Sequence, residues 1–366
     1  MNFFKNYYEG QRVLITGHTG FKGSWLALWL KELGAEVAGY SFDSPSSPSH
    51  FQLLGLEGKI RHYVGDVRDR EKLAQTMDDF RPSFVFHLAA QALVRRSYAD
   101  PITTFETNIL GMLNLLECIR TRSSIEVAVL ITSDKAYRND EWCWGYRETD
   151  PLGGLDPYSG SKGCAELVAY SYFHSYLKTG STRVATVRAG NVIGGGDWAD
   201  DRIIPDCIRA WTRGQSVSIR SPQGTRPWQH VLEPLSGYLW LGTQLWKKTP
   251  DLNGEAFNFG PDASVNQTVS QLIEAMACRW PGVEWHVPEG FETEGHEAKL
   301  LKLSCDKALS YLNWKSVLHF SETVTFTVDW YYNWYTQKQG CYAYSVDQIK
   351  TYCQLARERG LSWTKP

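Results

Sequence analysis

Three glycines spaced three residues apart constrain this chain more than any other feature. Gly17, Gly20 and Gly23 lie between an apolar, β-branched run at 12–16 and an apolar stretch at 24–33. The run predicts a buried parallel strand and the stretch predicts a helix. A glycine turn at such a junction lets a pyrophosphate approach the free N–H groups of the helix N-terminus. We therefore predict a dinucleotide site here; the alternative is a tight turn without a ligand.

Strand and helix patterns alternate through the first half of the chain. Strands are predicted at 36–40, 60–64, 83–88, 126–131 and 183–187, and helices at 70–80, 103–121 and 159–177. This alternation is typical of right-handed crossovers in a parallel sheet. The predicted fold class is α/β, a Rossmann-type doubly wound parallel sheet with a smaller C-terminal substrate-binding domain.

The rhythm changes after about residue 190, where three consecutive glycines begin an irregular, tryptophan-rich stretch. A chain of 366 residues has room for a second domain. We predict a cofactor domain at 1–188 plus about 235–260, where an apolar helix and a strand at 256–260 return to the large sheet. The substrate domain is predicted at 189–234 and 261–345, followed by a C-terminal tail at 346–366.

Charge and cysteine usage exclude several classes of protein. The net charge of −2 lacks the basic surface of a nucleic-acid binder. The eight cysteines are scattered, which favours a reducing compartment over disulfides, and no metal site is predicted. No apolar leader and no stretch of ~20 apolar residues is present, so we expect a cytoplasmic protein without a membrane partner.

The second and third predicted strands bear on the choice of dinucleotide. An acid usually ends the second strand and binds the adenine ribose, but Ser41 occupies that position and Asp43 follows two residues later. No arginine follows to bind a 2′-phosphate, so NAD is the predicted cofactor. Asp66 ends the third strand and is expected to accept a hydrogen bond from the adenine amino group; alternatively, it caps the next helix.

Tyr158 and Lys162 lie one helical turn apart on the same face of a predicted helix. A tyrosine pKa near 10 is too high for a ready base at neutral pH, and a nearby ammonium favours the phenolate. Such a tyrosine accepts a hydroxyl proton while hydride leaves the same carbon. The alternative is a surface lysine above a half-buried tyrosine.

Polar residues directly follow the strand predicted at 126–131. Ser133, Asp134 and Lys135 stand where parallel-sheet enzymes place reactive groups, beyond the carboxyl ends of strands. Ser133 is predicted to hydrogen-bond the hydroxyl that loses its proton to Tyr158. Asp134 adds an acid and Lys135 a second base, neither of which a plain dehydrogenase needs.

Six motifs carry a resemblance to a known family. They are residues 17–23 (GHTGFKG), 87–91 (HLAAQ), 132–137 (TSDKAY), 158–162 (YSGSK), 194–205 (GGGDWADDRIIP) and 226–231 (RPWQHV). The chain resembles the extended short-chain dehydrogenases/reductases, and among them the nucleotide-sugar 4,6-dehydratases. The match covers nearly the whole chain, and its last two motifs are the specific ones.

The resemblance implies an internal redox cycle on CDP-glucose. C4 of the glucosyl unit is oxidised by NAD as Tyr158 takes the O4 proton, water leaves across C5 and C6, and the hydride returns to C6. The product is a 4-keto-6-deoxy sugar, a precursor of the dideoxyhexoses of cell-surface polysaccharides. Asp134 protonates the departing C6 hydroxyl. Relatives that act on dTDP-glucose have a glutamate as the C5 base, and here Lys135 takes that place, which requires a neutral amine.

The resemblance also assigns binding residues. Those for the cofactor are Gly17, Thr19, Gly20, Phe21, Gly23, Ser41, Asp66, Val67, Leu88, Ala89, Ala90, Gln91, Asn108, Tyr158 and Lys162. Those for the nucleotide sugar and its diphosphate are Asn191, Arg202, Ile203, Arg226 and Lys299. For each cation the alternative is a surface ion pair.

Several alternatives stay open at this point. An aspartate–lysine pair also occurs in dehydratases that invert C5, so UDP- and dTDP-sugars are not excluded as substrates. A sugar 4-epimerase would need the Tyr–Lys pair but no acid beside Ser133. A non-catalytic NAD sensor could lose Tyr158 or Lys162, and both are present. A purely structural interaction protein would leave the glycine turn and the Tyr–Lys pair unexplained.

Assembly is the remaining expectation. The apolar helices at 103–121 and 159–177 could pair with their copies in a twofold four-helix bundle, the dimer mode common in the family; the alternative is ordinary packing on the sheet. We expect a homodimer or a dimer-of-dimers tetramer. The aromatic run at 330–335 has no derived role beyond core or oligomer contact.

Overall fold

A parallel sheet of seven strands organises the molecule. The computed structural model describes residues 3–219, 221–262, 264–287, 300–337 and 340–365. The strands in this part of the chain are β1 (Arg12–Thr16), β2 (Glu36–Ser41), β3 (Arg61–Val64), β4 (Phe84–His87), β5 (Val127–Ile131), β6 (Arg183–Arg188), β7 (Val192–Ile193), β8 (Val217–Ser218), β9 (Thr225–Arg226), β10 (Gln229–His230), β11 (Ala256–Asn258), β12 (Gln267–Thr268) and β13 (Trp285–His286).

The strand order of the large sheet is β11-β6-β5-β4-β1-β2-β3, and every pair is parallel. The direction of winding reverses between β1 and β4, which are neighbours in the sheet. β1 and β5 are buried along almost their whole length because helices cover both faces. The predicted Rossmann-type sheet is confirmed, and so is the return of β11 to it.

Helices connect these strands and cover the sheet. They are α1 (Phe21–Glu32), α2 (His50–Leu53), α3 (Arg70–Phe80), α4 (Val94–Ala99), α5 (Pro101–Phe105), α6 (Gly111–Arg120), α7 (Pro157–Tyr172), α8 (Ile203–Trp211), α9 (Leu232–Trp246), α10 (Val269–Ala277), α11 (Asp306–Leu312), α12 (Phe320–Tyr332) and α13 (Cys341–Glu358). Within the described residues, no helix is both long and apolar enough to cross a membrane.

The long helix predicted at 103–121 is interrupted. A π-helical turn, Glu106–Leu110, separates α5 from α6. It carries Asn108, whose side-chain amide hydrogen-bonds both the N–H and the C=O of Gln91 (2.9 and 3.1 Å). Such bulges are common at functional sites, and this one anchors the loop after β4.

The short strands after residue 190 pair among themselves. β7 pairs with β10, β8 with β13 and β9 with β12, forming three two-stranded sheets. Helix α8 lies between β7 and β8 in the chain and buries Ile204, Cys207 and Ile208. From this part of the chain, the segment between β6 and α8 lines the cavity described below, through residues 189–192, 196–200 and 202.

The stretch predicted as a C-terminal tail from residue 346 is mostly helical and well packed. Ile349 and Tyr352 of α13 have no exposed surface. The Tyr352 hydroxyl donates to the Glu233 carboxylate of α9 (2.8 Å), which also accepts from the N–H groups of Val317 and Leu318. Apolar and aromatic residues along α13 therefore join it to the core rather than leave it as an appendage.

A chain of buried polar side chains connects α13 to the start of α1. The His50 ring hydrogen-bonds the Ser24 hydroxyl through Nδ1 (2.9 Å) and Ser345 through Nε2 (3.3 Å). The Ser345 hydroxyl also accepts from Trp330 Nε1 (2.9 Å). All four side chains are buried, so the glycine turn, α12 and α13 form one rigid unit.

Candidate active site

A cavity of 670 Å³ opens at the carboxyl edge of the sheet, where β1 and β4 diverge. The predicted residues that line it are Gly17, Thr19, Gly20, Phe21, Gly23, Ser41, Asp66, Val67, Leu88, Ala89, Ala90, Gln91, Ser133, Asp134, Tyr158, Lys162, Asn191 and Arg202. Lys135, Asn108, Ile203 and Arg226 lie outside this lining, and Lys299 lies outside the described residues.

The glycine turn brings backbone against backbone. Gly17 has φ +77°, and a Cβ there would lie 2.6 Å from the N atom of Ala89. A Cβ on Gly23 would lie 2.1 Å from the Gly17 carbonyl oxygen, so α1 packs directly under the turn. The turn thus presents the N-terminus of α1 to the cavity without side chains in between, which fits a dinucleotide diphosphate.

Ser41 and Asp66 lie near the ends of β2 and β3. The Ser41 hydroxyl accepts a hydrogen bond from the N–H of Thr19 (3.5 Å) and lines the cavity. Burial alone would raise the pKa of Asp66, but hydrogen bonds from Arg68 (2.7 Å) hold it below its usual value. Asp43, two residues beyond Ser41, also lines the cavity and is exposed. This end of the cavity therefore offers hydroxyl and carboxylate acceptors suited to a ribose.

Asn108 and Gln91 act as a pair. The Asn108 amide lies behind the loop after β4 and donates to the Ser161 hydroxyl (2.8 Å) as well as to Gln91. Ser161 in turn donates to the Tyr158 carbonyl (2.7 Å). Asn108 therefore links the cofactor side of the cavity to the helix that carries Tyr158, from a position behind the cavity wall.

Tyr158 and Lys162 enter the cavity from the first turns of α7. Asp156 caps this helix by accepting from the N–H of Ser159 (2.9 Å), and Pro157 occupies its first position. Both side chains are buried, at 8% and 5% exposure. Burial raises the pKa of Tyr158 to about 12, whereas a hydrogen bond from Ser133 and the charge of Arg202 lower it.

Burial also acts on Lys162, in the opposite direction. Burial and the nearby Lys22 ammonium lower the pKa of the Lys162 ammonium, and Glu166 raises it, so that it lies at about 7. The pair can therefore lose its first proton near neutral pH, and its titration belongs to both groups together.

Ser133 and Asp134 follow β5, where a short 3₁₀ turn (Asp134–Ala136) begins. The Ser133 hydroxyl donates to the Asp134 carboxylate (3.0 Å), and Asn191 Nδ2 approaches its other oxygen at 3.5 Å. Asp134 is 4% exposed and faces the same cavity as Tyr158. Lys135 is half-buried on the same turn, and its side chain lies outside the lining.

Arg202 stands at the opposite wall, immediately before α8. It forms an ion pair with Asp197 (3.3 Å) and lines the cavity. Ile203 is the first residue of α8. Arg226 lies in β9, donates to the Thr225 carbonyl (2.8 Å) and is half-buried. The structure therefore brings Asn191 and Arg202 to the predicted catalytic group and leaves Arg226 apart.

Comparison with known families decides how this arrangement is classified. Residues 13–260 match the NAD dependent epimerase/dehydratase family. The chain belongs to this family. The match spans the glycine turn, the Tyr158–Lys162 pair and the loop before α8, so all parts of the described cavity lie within it.

Three individual proteins that are similar to this chain support the same family assignment. CDP-glucose 4,6-dehydratase of Salmonella typhimurium is 48% identical over 335 residues, covering 90% of this chain and 93% of the relative. Epimerase Mth375 of Methanothermobacter thermautotrophicus is 25% identical with a TM-score of 0.74, covering 90% and 95% of the two chains. UDP-glucose 4-epimerase of Thermus thermophilus in complex with NAD is 25% identical with a TM-score of 0.71, covering 87% and 98%.

Lys22 lines the cavity but was not among the site residues predicted from the sequence. It lies in the first turn of α1 and lines the cavity. Burial and the charge of Arg202 lower its pKa, and Asp134 raises it, so that it lies at about 8. The available signal was a lysine in the first turn of the helix, three residues before a run of buried tryptophan and leucine.

A buried ion pair fixes α7 against the sheet. Glu166, one turn beyond Lys162, accepts from Arg188 of β6 (2.8 and 3.0 Å) and from Thr132 after β5 (2.5 Å). Glu166 and Arg188 are 4% and 3% exposed, and Arg188 also lies over the Tyr137 ring. Because its remaining donors and acceptors are satisfied, this pair defines where α7 presents Tyr158 and Lys162.

Proposed function

We propose that this protein is an NAD-dependent nucleotide-sugar 4,6-dehydratase, a hydro-lyase that converts CDP-glucose to CDP-4-keto-6-deoxyglucose and water. The observation that carries the proposal is the buried Asp134 carboxylate in the same cavity as the Tyr158–Lys162 pair. A dehydrogenase or epimerase needs the pair alone, whereas removal of water needs an acid for the departing hydroxyl. The 48% identity to a CDP-glucose 4,6-dehydratase supports the same substrate.

The cofactor proposed is NAD, which when bound accepts a hydride from C4 of the sugar and returns it to C6. The turn from Gly17 to Gly23 holds its diphosphate at the N-terminus of α1. Ser41, Asp43 and Asp66 would face its adenosine end, and the cation next to them, Arg68, is paired with Asp66 (2.7 Å). This composition favours a free ribose 2′-hydroxyl over a 2′-phosphate.

Tyr158 is proposed as the base of the first step. Its phenolate, formed once the coupled Tyr158–Lys162 pair has lost its first proton, takes up the proton of the sugar O4 hydroxyl, while Ser133 holds that hydroxyl in place. The oxidised C4 carbonyl then acidifies the C5–H bond. Asp134 donates a proton to the C6 hydroxyl, which departs as water and leaves a C5–C6 double bond. Return of the hydride to C6 and of a proton to C5 then gives the 4-keto-6-deoxy unit.

Lys135 is proposed as the acceptor of the C5 proton, as its place beside Asp134 implies. In Lys135→Ala, C4 oxidation should persist while water loss falls about a hundredfold, because only the elimination needs this base. Exchange of C5 deuterium into solvent measures removal of the C5 proton, and mass spectrometry of the product measures water loss. Lys22→Met is the matched comparison: if it, and not Lys135→Ala, abolishes C5 exchange, the base is Lys22.

Binding of the substrate diphosphate is proposed for Asn191, Arg202, Arg226 and Lys299, with Ile203 beside them. Asn191 and Arg202 line the cavity, which supports their part of the proposal.

We also propose the division into a cofactor domain (1–188 and about 235–260) and a substrate domain (189–234 and 261–345), because the cavity lies between these two sets of residues.

The test is incubation with CDP-glucose, dTDP-glucose and UDP-N-acetylglucosamine in turn, each with catalytic NAD, followed by mass spectrometry. We expect loss of water from CDP-glucose. Loss of water from another nucleotide sugar would change the substrate and keep the reaction. Unchanged mass with an inverted C4 would make the protein an epimerase, and NAD binding without turnover would favour the sensor.

A homodimer through α5, α6 and α7 is proposed as the assembly, with a dimer-of-dimers tetramer as its extension. Large apolar side chains are exposed on these helices, on the neighbouring α4 and on the two π-helical turns at 106–110 and 173–177: Tyr98, Ile102, Phe105, Leu110, Leu167, Tyr170 and Tyr176. Exposed apolar side chains that form a patch mark a protein interface. The eight free cysteines support a cytoplasmic location, where thiols stay reduced.

Leu167→Glu should convert the dimer to a monomer, since Leu167 is 58% exposed on α7 and would bring two like charges together at a twofold axis. Light scattering coupled to size-exclusion chromatography measures the mass. Leu309→Glu is the control, because Leu309 is 48% exposed on α11, away from this surface. An unchanged mass for Leu167→Glu would place the interface elsewhere.

A further inference from the structure

The aromatic segment 330–335 lies against the loop that leads into α8. This segment spans the end of α12 and the π-helical turn Asn333–Gln337, and the proposed mechanism does not use it. Its partner, residues 194–202, carries Asp197 and Arg202 into the cavity. The contacts between the two segments are polar as well as apolar.

Tyr331 makes two hydrogen bonds to a single residue of that loop. Its hydroxyl accepts from the N–H of Asp197 (2.9 Å) and donates to the Asp197 carbonyl (2.5 Å). The Tyr331 side chain has no exposed surface. Both main-chain polar groups of Asp197 are therefore fixed by one phenol that lies behind the cavity wall.

Neighbouring aromatic rings hold the residues on either side. A Cβ on Gly195 would lie 2.0 Å from the Trp330 ring, so the loop approaches as closely as a glycine allows. Trp25 Nε1 donates to the Gly195 carbonyl (2.9 Å), and Trp198 Nε1 donates to the Tyr335 hydroxyl (3.3 Å). The main chain from 195 to 198 is thus fixed at several points by buried groups.

Asp197 in turn orients the side chain of Arg202 through an ion pair. One carboxylate oxygen of Asp197 accepts from the N–H of Ala199 (3.0 Å), and the other pairs with Arg202 Nη1 (3.3 Å). Asp197 is 6% exposed, whereas the Arg202 side chain reaches into the cavity at 37% exposure. The Arg202 guanidinium is therefore oriented by a carboxylate that is itself buried and hydrogen-bonded.

We propose that Tyr331 is a positioning residue for substrate binding: through Asp197 it sets the orientation in which Arg202 meets the diphosphate of the nucleotide sugar. The inference rests on the proposed function, since it assigns Arg202 to the substrate. Tyr331 itself is fully buried and does not line the cavity. Pre-orientation of a guanidinium reduces the ordering cost of a bidentate contact to phosphate, which favours affinity.

Tyr331→Phe tests this by removing the hydroxyl and keeping the ring. The KM for CDP-glucose and the dissociation constant of CDP, measured by calorimetry, should rise about fivefold to tenfold, the effect of one lost buried hydrogen bond. The turnover number should change less than about twofold, and NAD affinity should be unchanged. Asp197→Asn, which keeps the main-chain contacts and loses the ion pair, should show the same pattern.

Tyr352→Phe is the matched control, because it removes another buried hydroxyl, the one bonded to Glu233, away from the cavity. A double mutant separates position from general stability: in an Arg202→Ala background, Tyr331→Phe should weaken CDP binding no further. Unchanged CDP affinity in Tyr331→Phe, an equal loss in Tyr352→Phe, or an additive loss with Arg202→Ala would each overturn the inference. Because CDP binding needs no turnover, failure of the dehydratase assay is a separate result.

Discussion

Tyr158→Phe should lower kcat about a thousandfold while NAD still binds, within the range that positioned proton transfer contributes. The ring is buried at 8% exposure and its packing survives the change, so only the proton acceptor is lost. Steady-state kinetics with CDP-glucose measures the loss, and calorimetry with NAD measures cofactor binding. Tyr170→Phe is the control, since Tyr170 lies on the same helix at 63% exposure.

The pH profile should distinguish a base from a structural tyrosine. Burial lowers the pKa of Lys162 to about 7 and raises that of Tyr158 to about 12, so the coupled pair loses its first proton near neutrality. The active form lacks that proton, and kcat/KM of the wild type should therefore rise with pH through about 7 and then level off. A wild-type kcat/KM that stays constant between about pH 6 and 8 would contradict the role of the Tyr158–Lys162 pair.

Asp134→Asn should separate the two halves of the reaction. The amide has the size of the carboxylate but no proton to donate, so water loss from C6 should fall at least about a hundredfold. C4 oxidation, which we propose to depend on Tyr158, should persist. In a single turnover, absorbance of the reduced nicotinamide should therefore appear and decay slowly, while mass spectrometry finds little product lacking water.

Asp140→Asn is the control for this prediction, because Asp140 is an exposed carboxylate on the next loop. Loss of both oxidation and water removal in Asp134→Asn would mean that the side chain organises the cavity through Ser133 (3.0 Å) and Asn191 rather than acting as the acid. Unchanged water loss would remove the observation on which the dehydratase proposal depends.

Local signals in the sequence predicted the sheet and much of the cavity. The glycine turn was identifiable because a strand and a helix flank it within a few residues, and the Tyr158–Lys162 spacing follows from one helical turn. The strand at β11 was predicted from a short apolar run and does join β6. These features depend on neighbours in the sequence, which a single sequence shows directly.

Other features depend on residues that are distant in the chain. Burial and the charge of Arg202 lower the pKa of Lys22 and Asp134 raises it, and only the fold brings this burial and these charges together. Asn108 was predicted to bind the cofactor, and the structure shows its amide committed to Gln91 and Ser161 instead of the cavity. The π-helical turn that presents Asn108 is likewise set by these contacts, because the sequence at 103–121 has an unbroken helical pattern.

The hydrogen bond between His50 and Ser345 determines how late in synthesis the glycine turn is fully supported. These residues are 295 positions apart, and His50 supports Ser24 directly under the glycine turn. During synthesis the nucleotide-binding end of the sheet emerges from the ribosome long before α13. The hydrogen bond from His50 to Ser345 cannot form until α13 has been synthesised. A nascent chain stalled before residue 345 should therefore bind NAD weakly, although it already contains every glycine of the turn.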